Sequence, residues 1–429
     1  MSTRDPKPTP SNQPQSGALV RRRAIDALLA VEGYETGSQE AIRNALRRKP
    51  LLASVDHGLL TEMVYGCLRR QRSLDGWIAK VAKRGLHGMD VRSLVTLRLA
   101  AYQLAAMDRV PDYAAIDATT NAARKVIGRG QVGFVHGAMR SLARTTPWND
   151  DAGDDLPAWI RRHIDELAED AGVPGAELQA AFEAPAPLHI HAIDDDAARD
   201  LRAEGVELER IGDLQRVFAA NGPAFFASET FQRRRAIAQD AGSAAVVKLV
   251  APQPGERIAD VCAGRGAKTL FLVGAGAEVT AFDTRKDALA AAKRLCESAG
   301  VSMPETRVLD LTKGDPEFDA QFDAVLVDAP CTGLGTVRRR PEIRHRRRAA
   351  DIAINAQLQR RILANAAEMV KPGGRLIYAV CSMTRAEGSR VVDHFLAARD
   401  DFSRVGEDLR THPLDFGMDA FYAACLTRK

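Results

Sequence analysis

Residues 257–283 read RIADVCAGRGAKTLFLVGAGAEVTAFD. Arg257–Cys262 is a short apolar run that ends in glycines, the pattern of a buried strand entering a tight turn. Glu278–Asp283 repeats the pattern as a second strand. An alanine-rich helix is expected over Lys286–Ala299, a third strand over Thr306–Asp310 and a fourth over Asp323–Asp328. A long helix is expected over Asp351–Val370, stopped by Lys371-Pro372-Gly373-Gly374, with a fifth strand over Arg375–Val380. Strands alternating with helices imply a parallel, doubly wound sheet with helices on both faces. Such sheets hold ligands at the carboxyl ends of their strands. Three of these strands end in an acid and one in a cysteine.

The other parts of the chain have a different texture. Its 429 residues suffice for two to three domains. Residues 1–17 are rich in Pro, Ser, Gln and Thr and read as a disordered tail. Residues 18–144 carry apolar positions at helical spacing, as in Ala24–Val31, Leu59–Leu68, Leu74–Val81 and Leu94–Met107. No alternating strand interrupts them, so an all-α domain of about five to seven helices is expected. Residues 145–157, TTPWNDDAGDDLP, read as a linker. Residues 158–240 read as a mixed α/β connecting region, and residues 241–429 as the α/β domain. The fold class is thus all-α followed by α/β.

Composition excludes several classes. No run of about 18 apolar residues is present, so no membrane span is expected. The N-terminus lacks the apolar core of a signal peptide, and a cytoplasmic location is expected. The six cysteines form no CxxC pair and no zinc spacing, so no metal is expected. Nothing calls for an obligate oligomer, and a monomer is expected. The net charge is only +4, yet it is a cancellation. Arg21–Arg144 holds 21 Lys or Arg against 11 Asp or Glu, a net of +10. Residues 145–429 sum to −7.

The strand ends carry the chemistry. Gly264 and Gly266 allow a tight turn and a close backbone approach to a ligand. Asp283, at the next strand end, suits ribose hydroxyls. Together these form a nucleoside-cofactor layout that does not by itself separate NAD from S-adenosylmethionine. The fourth strand ends Asp328-Ala-Pro-Cys331, where Pro330 lacks an amide proton and marks the strand's end. The fifth ends at Cys381. Either cysteine alone reads as a small buried hydrophobe. Two thiols at one ligand-bearing edge read as chemistry. Carbon 5 of cytosine becomes nucleophilic enough to accept a methyl group once a thiolate has added to carbon 6. A second thiol can then assist release, and a carboxyl such as Asp328 can serve the ring near N3.

The motifs DVCAGRGAKT, AFD ending at Asp283, LVDAPCTGLGTVRRRPEI and YAVCSMT resemble those of the RNA 5-methylcytosine methyltransferases. Within them the chain is most similar to the RsmB type, also called Sun or Fmu, which modifies small-subunit ribosomal RNA. The resemblance extends to the N-terminal domain. Val64-Tyr-Gly-Cys-Leu-Arg69 and Phe134-Val-His-Gly-Ala-Met-Arg140 look like the RNA-binding NusB-type helical domain. The resemblance implies a Rossmann-like methyltransferase domain and S-adenosylmethionine as cofactor. It implies Cys381 as the covalent nucleophile, Cys331 as the thiol that assists release, and Asp328 near the methionine end and the target base. Cys262, Ala263, Gly264, Arg265, Gly266, Ala267 and Lys268 would line the cofactor, with Asp283 on the ribose and Asp310 near the adenine. The family's usual turn is CAAPGGKT, so Arg265 and Ala267 depart from it. Val380 stands where threonine is common, and His345 where tryptophan is common.

From Arg338 to Arg348 the chain reads RRRPEIRHRRR, seven arginines in eleven residues. Arginine forks bind phosphate bidentately. Arg338, Arg339, Arg340, Arg344, Arg346, Arg347 and Arg348 are therefore expected to clamp the RNA backbone. The favoured reading is a cytosine-5 methyltransferase of small-subunit ribosomal RNA. The same chemistry on transfer RNA, another RNA or DNA is an alternative. A non-catalytic NusB-like RNA-binding factor is a third.

Overall fold

The helical periodicity of the N-terminal part is realised as seven helices. They are α1 (Gln13–Glu32), α2 (Ser38–Arg47), α3 (Ser54–Arg69), α4 (Gln71–Val81), α5 (Val91–Ala106), α6 (Asp112–Ala123) and α7 (Arg129–Leu142). The computed structural model describes residues 13–82, 85–145 and 155–429. The first twelve residues of the expected tail and residues 146–154 of the expected linker lie outside the described residues. Helix α1 begins at Gln13, so residues 13–17 of the stretch expected as tail are helical.

The apolar faces of α1–α7 meet in one core, with Ile25, Leu60, Met63, Leu74, Leu97 and Leu99 fully buried. Asp90 caps α5 by accepting a hydrogen bond from the Ser93 amide. Arg98 interrupts the most apolar run, and its charge is satisfied in place. Its Nε donates to Asp75 at 2.7 Å, and Glu32 lies 3.3 Å from Nη1. Arg340–Arg346 also belongs to this unit.

The second unit comprises Ala158–Arg339 and Arg347–Lys429. It opens with α8 (Ala158–Ala171) and α9 (Gly175–Glu183). A small antiparallel sheet follows, built from β1 (His189–Ala192), β2 (Leu208–Arg210), β3 (Val217–Ala220) and β4 (Ala236–Ala238) in the order β2-β3-β1-β4. Helices α10 (Asp195–Ala203), α11 (Gly222–Ala227) and α12 (Glu229–Gln232) connect these strands. Helix α13 (Ala241–Val250) leads into the large sheet.

The large sheet contains β5 (Arg257–Val261), β6 (Glu278–Asp283), β7 (Glu305–Val308), β8 (Phe322–Asp328), β9 (Val370–Val380), β10 (Phe402–Arg410) and β11 (Tyr422–Arg428). Their order is β10-β11-β9-β8-β5-β6-β7. Helices α14 (Ala267–Gly274) and α15 (Lys286–Ala299) alternate with the first strands. The short α16 (Ile343–Arg346) falls in the segment assigned to the first unit, and α17 (Ala350–Glu368) and α18 (Ser389–Ala398) complete the second. Strands β5–β9 pair in parallel, whereas β11 runs antiparallel to β9 and to β10. The sheet is therefore mixed, with an antiparallel hairpin closing one edge.

Three expectations are corrected in detail. The third strand ends at Val308, which leaves Asp310 in the loop after it. Lys371–Gly374 lies inside β9 as a bulge, because pairing with β8 holds at Val370 and resumes only at Arg375. The boundary expected at residue 240 separates two sheets but not two cores. Ile190, Phe218 and Ile237 of the small sheet share one apolar cluster with Ile258, Leu270 and Leu326 of the large one. Among the described residues no helix is long and apolar enough to cross a membrane.

Candidate active site

Parallel register brings the site together. Asp260 of β5 lies opposite Leu326 of β8, and Asp328 of β8 lies opposite Ala379 of β9. The loops after β5, β8 and β9 therefore leave the same edge of the sheet. The β5 loop turns through Cys262 (φ 62°), Gly264 (φ 57°) and Gly266 (φ 83°) into α14. The Gly264 amide donates to Asp283 Oδ2 at 2.9 Å, and the Arg285 amide donates to Oδ1 at 2.8 Å. Asp283 is thus pinned against the turn.

Asp260 is fully buried. Its Oδ2 accepts from Thr269 Oγ1 at 2.5 Å, and its Oδ1 has no partner among the described residues. Burial pushes its pKa up to about 7. Asp310 accepts two hydrogen bonds from Thr312, which hold it below the ordinary carboxylate range. Burial, and then the charges of Asp328, Asp283, Asp260 and Asp310, push the Cys262 thiol far up. Cys262 is therefore held as a thiol.

Lys268, in the first turn of α14, donates to Asp328 Oδ2 at 2.6 Å. Burial opposes the Lys268 charge, but Asp328, Cys381 and Asp260 together outweigh it and hold the ammonium above its ordinary value. A Cys381 thiolate is the next charge that stabilises this ammonium. The attraction is mutual, so Lys268 favours the thiolate in return. Asp328 Oδ1 has no hydrogen-bond donor among the described residues.

The two thiols meet. Cys331 Sγ lies 3.3 Å from Cys381 Sγ. The contact with Cys381, followed by burial, pushes the Cys331 thiol well above its ordinary range. The pair is therefore asymmetric, with Cys331 kept protonated. Gly335 makes the approach of the two loops possible. Its amide donates to the Cys381 carbonyl at 3.1 Å, and a Cβ there would fall 1.8 Å from the Ala420 carbonyl oxygen. The other cysteines differ: Cys67, Cys296 and Cys425 are buried.

A nucleoside cofactor fits these residues. An added Cβ at Gly264 would meet nothing closer than 4.0 Å, so the backbone of the turn faces open space. Asp283 and the unpaired oxygen of Asp260 lie at the same turn. Ala263 and Ala267 have side chains too small to obstruct it, and Arg265 is exposed.

The arginine run is not a uniform clamp. Arg338 is buried and donates to the carbonyls of Ala184, Pro185 and Gly417. Arg339 bridges Asp240 at 2.6 Å and Asp419 at 2.9 Å. Arg344 donates to the Arg69 carbonyl, and Arg346 to those of Val31 and Thr36. Arg347 donates to the Thr332 carbonyl at 3.0 Å. A guanidinium is a fork of donors, and in this run five of the seven forks are engaged by backbone oxygens or buried acids. Arg340 and Arg348 remain exposed.

Sequence reasoning missed Glu387. It is fully buried, and it accepts hydrogen bonds from Thr332, Ser382, Thr384 and Gln359. A lone Glu in the stretch Thr384-Arg-Ala-Glu-Gly388 carries no signal of this.

An acid-ended strand pair, a glycine turn and two thiols at one sheet edge define a nucleoside-cofactor α/β transferase. Residues 247–427 match the family model described as 16S rRNA methyltransferase RsmB/F. Residues 19–144 match the NusB family. The ribosomal RNA small subunit methyltransferase B of Thermus thermophilus is 33% identical, over 89% of this chain and 88% of its own. The probable ribosomal RNA small subunit methyltransferase B of Bacillus subtilis is 29% identical, over 96% and 99%. The crystal structure of PH0851 superposes with a TM-score of 0.83 at 24% identity, covering 96% of this chain and 99% of that one. The chain belongs to the RsmB/F family of S-adenosylmethionine-dependent rRNA methyltransferases.

Proposed function

We propose that this protein methylates carbon 5 of a cytosine in small-subunit ribosomal RNA through a covalent adduct on Cys381. The observation that carries the reading is the 3.3 Å approach of Cys331 and Cys381 beside the Lys268–Asp328 pair. The β5 turn, Asp283, Asp310 and Asp328 would hold S-adenosylmethionine. When bound, it supplies the electrophilic methyl group that carbon 5 takes up.

The residues of the chain do the rest. The Cys381 thiolate, favoured by Lys268, adds to carbon 6 and forms an S–C bond. The ring's electron pair moves toward carbon 5 and N3, where the carboxyl of Asp328 serves the ring. Once carbon 5 is methylated it carries one proton too many. While Cys381 is a thiolate, its contact keeps Cys331 protonated. Bonding to carbon 6 removes that anionic partner, so Cys331 ionises more readily and takes the carbon-5 proton. The electron pair then restores the ring double bond, and the Cys381–C6 bond breaks. The target base must leave its stack to reach this edge. The +10 charge of Arg21–Arg144, together with Arg340 and Arg348, supplies attraction for phosphate. A ribosomal RNA substrate agrees with a cytoplasmic site of action.

The test is incubation with methyl-labelled S-adenosylmethionine and undermethylated small subunits or free small-subunit RNA. 5-Methylcytosine at a discrete position is expected. Label on transfer RNA or DNA alone, or on another atom of the base, would overturn the reading.

A further inference from the structure

We propose that Glu387 is a positioning residue for methyl transfer, fixing the Cys331 loop and the Cys381 loop to one buried carboxylate. The inference rests on the two-thiol reading above.

Glu387 Oε1 accepts from the Thr332 amide at 2.8 Å and from Gln359 Nε2 at 3.2 Å. Its Oε2 accepts from Thr332 Oγ1 at 2.5 Å, Ser382 Oγ at 2.7 Å and Thr384 Oγ1 at 3.2 Å. Thr332 follows Cys331, and Ser382 follows Cys381. One carboxylate therefore holds the residue next to each thiol. Gln359 extends the frame by donating to the Pro330 carbonyl at 2.9 Å, on the other side of Cys331. The backbone that carries the carboxylate is anchored, since Tyr378 Oη donates to the main-chain carbonyl of Glu387 at 2.6 Å.

All five donors are neutral, and no ion pair of Glu387 occurs among the described residues. Apolar packing holds two loops together at lower cost than a buried charge does. The carboxylate supplies two things that packing does not. Its fixed acceptor directions set both loops, and its charge lies behind Cys331. That charge is among the influences that keep Cys331 a thiol, after the contact with Cys381, burial and the charge of Cys381.

The test uses the full-length protein carrying Glu387→Gln, which keeps the shape and removes the charge. Turnover is measured on small-subunit RNA with S-adenosylmethionine. The pH profile of Cys331 alkylation by iodoacetamide is read separately, without RNA, by peptide mass spectrometry. A kcat loss on the order of 100-fold with unchanged KM for RNA is expected, the size of a misplaced reacting pair. Alkylation of Cys331 should begin at lower pH than in the wild type. Thr332→Val and Ser382→Ala remove one hydroxyl each and keep the charge. Each should lower kcat by about 10-fold, the scale of one hydrogen bond to a charged group, without moving the alkylation profile.

These two variants decide the matter if Glu387→Gln does not fold. Wild-type kcat in the variants, or a KM that rises in step with the lost activity, overturns the inference. A wild-type enzyme that makes no 5-methylcytosine overturns the two-thiol reading instead. The alkylation profile then still decides whether Glu387 acts on Cys331.

Discussion

The loops at the thiol edge and the arginine segment that follows them use polar side chains in opposite ways. At the edge, Cys331 and Cys381 come from loops 50 residues apart, yet their sulfurs lie 3.3 Å from each other. In the segment, seven arginines are crowded into eleven residues, yet five of their guanidiniums diverge onto separate acids and carbonyls while Arg340 and Arg348 stay exposed. The difference teaches that strand register makes this site and that local density of charge does not. Parallel pairing of β8 with β9 fixes where both thiols emerge. Nothing equivalent aligns the arginines.

The largest expected effect breaks the first half of that comparison. Cys381→Ala should abolish turnover, because the adduct at carbon 6 cannot form, and initial rates with labelled cofactor measure it. The remaining rate should be lower by a factor of about 10³ or more, the scale of losing a covalent step. A variant that retains a tenth of the activity would show that the thiols meet for some other reason.

The next effect breaks the second half. Arg339→Met leaves Asp240 and Asp419 buried without their shared cation. Removing one partner of a buried pair costs about 3–5 kcal/mol, and urea unfolding of the second unit measures it. A loss within about 0.5 kcal/mol, the scale of a surface substitution, would return Arg339 to the surface-clamp reading.

The third effect is a pH dependence. Burial raises Asp260 from 3.8 to about 7. Between those values the folded state holds a proton that the unfolded state releases. Its contribution is therefore present below about pH 4 and is lost as pH rises toward 7. Asp260→Asn should remove a slope of about one proton from unfolding free energy across this window. An unchanged slope would show that Asp260 is ionised in the fold.

The smallest effect separates the arginines from one another. Neutralising the exposed Arg340 and Arg348 should flatten the salt dependence of RNA binding by about two phosphate contacts at most. Arg338→Ala should lower stability and leave that slope unchanged. Equal effects on the slope from all three would mean that the segment acts as one surface.

Much of this was legible in the residues. The acid-ended strands, the glycine turn and the two cysteine motifs stand at the ends of short apolar runs, and a run's end locates a strand's edge. Asp283, Asp328, Cys331 and Cys381 were all placed by that reasoning. The partners of Arg339 were not, because Asp240 and Asp419 lie 99 and 80 residues away, in elements that pair only after folding. Glu387 was invisible for a related reason. Its five donors come from three segments, and no spacing within one segment reports them. The small sheet of residues 189–238 has strands of three or four residues, too short for alternation to register.

The central claim is that Cys381 bonds to a cytosine and that Cys331 assists its release. It is tested most directly by incubating Cys331→Ala with small-subunit RNA and S-adenosylmethionine, digesting with protease and nuclease, and weighing the cross-linked peptide. The account predicts a methylated cytidine attached to the peptide that carries Cys381. The absence of any adduct, or a nucleotide attached to another cysteine, would contradict it.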